Sequence, residues 1–183
     1  MRRLVLTPTA VLALLGLSLT AQTDSKGPAP AKPAPPTMQV PSNLLQMMRG
    51  TLYPEANVVF SSQNDNPADA KLPRGQDPSL ATDPLVSTFG GWVAVENAAL
   101  ALADSANLLL IPGRVCANGV PVPMNDPDWP KFVEELRDAG MKAFKAAQSK
   151  NQDTMIEASD TLNTACLNCH RKWREKGLAN RCK

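Results

Sequence analysis

Cys166-Leu167-Asn168-Cys169-His170 is the stretch of this chain whose residue types and spacing can do chemistry. Two thiols three residues apart, with a histidine directly after the second, form the attachment pattern of a c-type haem. The spacing has a chemical reason. Each thiol adds to one vinyl group of the porphyrin, which makes two thioether bonds. On a helix, positions i and i+3 share a face, so both sulfurs reach the same edge of one ring. His170 is then brought under the iron as its proximal ligand. The cofactor expected is one covalent haem c.

Three other chemistries compete for these residues. A zinc ion could take Cys166, Cys169, His170 and the distant Cys182. A redox-active dithiol of the thioredoxin kind needs a strand before its helix, and the sequence offers none. A Cys166–Cys169 disulfide is disfavoured by helical geometry. The compartment weighs against free thiols. Residues 1–21 read as a secretory signal, with Arg2 and Arg3 as its charged start and Val11–Leu17 as its apolar core. The apolar run is short for a spanning helix, and no other segment is expected to cross a bilayer. The mature chain is therefore expected to be exported, periplasmic and soluble, in an oxidising space where free thiols rarely persist.

His170 is the only histidine, so two histidines of one subunit cannot both ligate the iron. The identity of the sixth ligand then sets the function. Met48 is the candidate. It falls on a face with Leu44, Leu45 and Leu52 at helical spacing, so it should point inward. Met47 is the reserve, and the alternative role for Met48 is plain core filling.

The elements that must position these residues are helices. Residues 22–37, rich in Pro and Ala, cannot bury a core and read as a disordered tether. The domain covers 38–183. Ser42 or Asn43 caps the first helix, which Tyr53-Pro54 should kink or interrupt. Ser61 to Asp83 reads as a long surface loop. Asp83-Pro84 is expected to start a second helix, with Phe89, Trp92, Val93, Glu96, Ala99, Leu100, Ala103, Ala106 and Leu110 recurring at steps of three and four. Pro112-Gly113 stops it. Asp128-Trp129-Pro130 opens a third helix with a stripe at Phe132, Leu136, Ala139, Ala143 and Ala147. A turn near Lys150-Asn151 leads to the fourth, where Met155, Ser159, Leu162, Cys166, Cys169 and Trp173 share a face and which Gly177 should end. No stretch alternates with period two. The fold class expected is all-α, an antiparallel four-helix bundle with the haem on its last helix.

In such a bundle helices two and four run parallel. Cys116 and Cys182 follow their ends and should meet at one end of the bundle. A disulfide there would close a loop of about 65 residues. The alternative is two unrelated thiols, which export disfavours.

A four-helix bundle with this motif in its last helix resembles the cytochrome c-prime family. The residues that carry the resemblance are Cys166, Cys169 and His170, followed by Trp173 and Arg174. It covers roughly residues 38–183. It implies haem binding, a methionine ligand from the first helix in some members, and pairing of two copies through a helix face. Arg174, one turn past His170, is the candidate for a propionate or pocket role.

The expected function is single-electron transfer with a redox partner and no bond chemistry. The alternative is an open distal site that binds nitric oxide or carbon monoxide. The chain has 19 Lys and Arg against 17 Asp and Glu, and the leader holds two of the basic residues. That balance argues against a nucleic-acid partner. Arg171, Lys172, Arg174, Lys176, Arg181 and Lys183 crowd the C-terminus and would suit an acidic partner. The other reading of that cluster is propionate pairing or solvated surface.

Overall fold

The computed structural model describes residues 38–175 and 181–182. The expected leader, tether and Gly177 helix stop lie outside the described residues, as do Lys176 and Lys183. Four helices pack together. Helix α1 runs through Leu44–Met47, Met48–Leu52 and Tyr53–Ser61; α2 is Trp92–Ala106, α3 Asp128–Ser149 and α4 Gln152–Trp173. Among the described residues there is no strand, only an isolated antiparallel bridge between Val115 and Pro121. The described residues form an all-α bundle.

Helix α1 opens on a capping box. Asn43 Oδ1 accepts from Gln46 N at 2.8 Å, and Gln46 Oε1 accepts from Asn43 N at 3.0 Å. The expected break at Tyr53-Pro54 is instead a π turn over Met48–Leu52, with backbone helical on both sides. Pro54 has no N–H to donate, and the wide turn absorbs its ring: Tyr53 N–H reaches back five residues to Met48 O. The extra residue shifts the buried stripe. Leu44, Met47, Leu52, Ala56 and Val59 are buried, with a step of five between Met47 and Leu52. Leu45 and Met48, expected on that stripe, are half-buried beside it.

Helix α2 starts later than the sequence suggested. Asp83 caps only a short 3-10 turn, Pro84–Val86, its carboxylate accepting from Leu85 N at 2.9 Å. Gly91 then takes φ 62, a conformation that cannot continue a helix and favours glycine. Phe89 is therefore off the helix and 70% exposed, and Val93 faces outward. Trp92, Val95, Ala99, Leu102 and Ala106 form the buried stripe. With its 3-10 continuation, α2 is long and apolar enough to cross a membrane by length and composition, contrary to the expectation that no segment after the leader would be. Its small residues instead let α3 approach. A Cβ on Gly140 of α3 would stand 3.0 Å from Ala103 N and Ala99 O of α2.

Cross-helix bonds give the directions. Lys142 donates to Thr161 at 2.8 Å, and Asn168 donates to Glu135 at 2.9 Å, so α3 and α4 are antiparallel. Arg137 reaches Asn107 at 2.9 Å, and Trp129 Nε1 donates to Leu109 O at 3.1 Å, so α2 and α3 are too. Ser159 donates to Val59 O at 3.4 Å and Gln152 to Ser62 O at 3.2 Å, which sets α1 antiparallel to α4. Between α3 and α4, Lys150 turns the chain with φ 53, and Asn151 caps α4 by accepting from Thr154 N at 3.1 Å. Cys116 and Cys182 form a disulfide, Cα–Cα 5.2 Å, at the end where α2 and α4 both finish.

Candidate functional site

Helix α4 places the motif. Met155, Ser159, Leu162 and Trp173 are buried on one face, and Cys166 and Cys169 continue that face half-buried against the core. Residues Thr161, Asn168 and Lys172 bond to α3 or the residues just before it, so that side of α4 faces α3. Ser159 bonds to α1. Cys166 and His170 lie two and three turns further along that α1-facing side. Helix α4 packs along α3 but touches α1 sparingly.

The two candidate ligands stand at similar levels along the bundle. Met48 lies eleven residues before Val59, and His170 lies eleven residues after Ser159. In antiparallel helices that share the Ser159–Val59 bond, both stand about 16 Å from it in the same direction. Met48 and His170 are therefore on neighbouring helices at the same height. Met48 is half-buried and packed at the edge of the core, whereas Met47 is 4% exposed and committed to it.

Electrostatics separate these thiols from reactive ones. Burial pushes the Cys166 thiol up. Cys169 is pushed up to about 12 by burial, then by Cys166 and by the Glu135 carboxylate. Reactive cysteines have lowered values, and both of these are raised. A thioether carries no charge to desolvate, and its sulfur suits this site. His170 is shifted down by burial and by the nearby Arg174 guanidinium, both of which favour the neutral imidazole, the form that can ligate a metal.

The zinc alternative loses its fourth ligand, because Cys182 is bonded to Cys116. Among the described residues no three His, Cys, Asp or Glu side chains gather to hold an ion. Consecutive helix residues diverge by roughly 100°, so Cys169 and His170 do not converge on a point. That divergence suits a flat ring bonded at its edge and ligated at its centre. The residues present fit a covalent haem.

The sequence named several residues around the motif without their partners. Trp173 packs against Trp129 at 5.0 Å and Phe132 at 5.4 Å between ring centroids, closing the core just past the motif. Lys172 donates to Asp126 and Asp128 at 2.7 Å each. It is thus held by two carboxylates and is not a free docking charge, as its place in the basic cluster had suggested. Those bonds raise Lys172 and hold Asp126 below the usual carboxylate range. Arg171 and Arg174 are exposed, while Arg181 is half-buried. Glu96 is half-buried at the edge of the α2 stripe. No sequence signal joins Lys172 to carboxylates some 45 residues away.

No family model, curated protein or solved structure matches this chain.

Proposed function

We propose that the chain is an exported monohaem c-type cytochrome of the c-prime kind, with one haem c bonded through Cys166 and Cys169 and ligated by His170. The observation that carries the reading is the pairing of the cysteines. Cys116 and Cys182 take the disulfide, and the two left unpaired are the two that stand one helical turn apart before the sole histidine. When bound, the haem supplies a reversible one-electron couple at its iron.

The chain's own residues do the rest. His170 is offered neutral from α4. Met48 is the sixth ligand, from α1 at the same height, and methionine ligation raises the potential. Trp173, Trp129 and Phe132 keep water from the C-terminal side of the motif. Arg174 remains the candidate for propionate pairing, and its charge already reaches His170. Arg171 steers an acidic redox partner to that end of α4. The apolar groove of about 360 Å³ between α1 and α2, edged by the exposed Phe89, is the surface a second copy would cover in a homodimer. The chain acts as a periplasmic electron carrier and makes or breaks no substrate bond.

Haem retention on a denaturing gel, read by peroxidase stain, tests the attachment. The mature protein should stain, and the Cys166→Ser, Cys169→Ser double variant should not. Full retention in the double variant rules the assignment out. Met48→Ala should convert a low-spin spectrum to high spin and open the iron to carbon monoxide. If Met48→Ala leaves the spectrum unchanged while Met47→Ala alters it, the ligand is Met47. If the parent protein is already high spin, the gas-binding alternative replaces electron transfer.

A further inference from the structure

The two candidate ligands sit on helices that scarcely touch at their level, so something else must hold that spacing. One segment reaches both. The loop between α2 and α3 carries Arg114, which is 7% exposed. Its guanidinium donates to Ser42 O at 2.7 Å, to Ser42 Oγ at 2.9 Å and to Leu108 O at 3.3 Å. The next residue, Val115, accepts from Leu44 N at 2.8 Å, taking up a first-turn donor of α1. These contacts fix the start of α1, one turn before Met48.

The same loop grips the end of α4. Asp126 and Asp128, at its far side, hold Lys172, two residues past His170. Cys116 is bonded to Cys182, whose N–H donates to Trp173 O at 2.8 Å. Asn118 donates to Arg181 O at 3.0 Å. The loop braces itself as well, through Cys116 N to Val120 O at 2.8 Å and Val122 N to Arg114 O at 3.1 Å.

We infer that this loop is a buckle that sets the distance between the sixth ligand on α1 and His170 on α4, with Arg114 as its positioning residue and the Cys116–Cys182 disulfide as its clasp. The inference rests on the haem reading. A guanidinium bonded to a backbone carbonyl next to a helix cap fixes where the helix starts. An iron–thioether bond is weak and tolerates little displacement, so loosening the buckle opens the sixth position without touching the thioether bonds.

The test uses the full-length, haem-loaded protein. Three readouts apply: the weak long-wavelength charge-transfer band of ferric histidine–methionine iron, carbon monoxide binding to the ferrous form, and amide exchange at Leu44–Met48. Arg114→Ala should lose the band and speed both carbon monoxide binding and exchange by roughly tenfold, the scale of one lost charge-assisted hydrogen bond. Arg114→Lys, which keeps a cation able to reach Ser42 O, should restore most of the band. Mild reduction of the disulfide in the unmutated protein should act in the same direction, and it keeps the test open if Arg114→Ala does not fold. If Arg114→Ala and the reduced protein both keep the parental band and binding rate, the buckle is overturned and the haem reading stands. A parent with a Soret band but no methionine band overturns the buckle alone. A parent with no Soret band overturns both.

Discussion

Two glycine-to-alanine changes in this bundle should have opposite signs. Gly140 lies on α3 where it meets α2. A Cβ there would stand 3.0 Å from Ala103 N, 3.0 Å from Ala99 O and 3.1 Å from Ala103 Cβ. Two of those atoms are backbone and cannot rotate away, so the helices must part by several tenths of an ångström. Overpacking of this kind costs about 1–3 kcal/mol, against a helix-propensity gain of about 1 kcal/mol for alanine over glycine. The contact wins, and Gly140→Ala should lose about 1 kcal/mol, roughly 2–4 °C in Tm. Gly50 sits in the π turn of α1, exposed, with nothing within 4 Å of where a Cβ would stand and no positive φ. There only the propensity gain and the stiffer unfolded chain count, so Gly50→Ala should gain up to about 1 kcal/mol. Urea unfolding of the full-length protein, followed by circular dichroism with unchanged m, reads both. A Gly140→Ala protein as stable as the parent would show that α2 and α3 do not approach this closely.

Other outcomes follow from the same contacts. Cys116→Ser should cost about 4 kcal/mol in the loop-entropy account, because the disulfide joins residues 66 apart, and the urea midpoint of the variant checks it. The Asp126–Lys172 link should give stability a broad plateau in pH. Asp126 is held low, chiefly by its bond from Lys172, so its contribution is full above the usual carboxylate range and is lost as pH falls through its lowered folded value. Lys172 is raised, first by Asp126, so its contribution is full below the usual lysine value and is lost only as pH rises through its raised one. Melting temperature against pH should lose part of its acid fall in Asp126→Asn, and an identical profile would refute the link. Electron transfer to an acidic partner should slow with ionic strength and in Arg171→Glu, whereas Lys172→Glu should mainly destabilise; a stopped-flow rate indifferent to salt would mark the cluster as solvated surface.

The motif and the helix order were legible because each is written locally. Period 3–4 stripes marked α1, α3 and α4, and Asn43 and Asn151 announce their helices by capping them. The meeting of Cys116 and Cys182 followed from the parity of the remaining cysteines and the parallel run of α2 and α4. The late start of α2 was not legible, since Asp83-Pro84 is a good start signal that a short 3-10 turn uses equally well. The π turn was hidden for a related reason. It adds one residue inside a continuous helix, so the stripe changes phase and Met47 takes the buried place expected for Met48. Arg114 and Asp126 act over long sequence separations, and their roles exist only once the loop is folded against α1 and α4.

The visible absorption spectrum of the purified mature protein, produced in a host that attaches c-type haem, decides whether the chain carries haem. A Soret band should stay with the polypeptide through denaturation, with the low-spin form and methionine charge-transfer band of His170–Met48 iron. A protein that is folded and carries the Cys116–Cys182 disulfide, yet has no Soret band and two alkylatable thiols at Cys166 and Cys169, would contradict it.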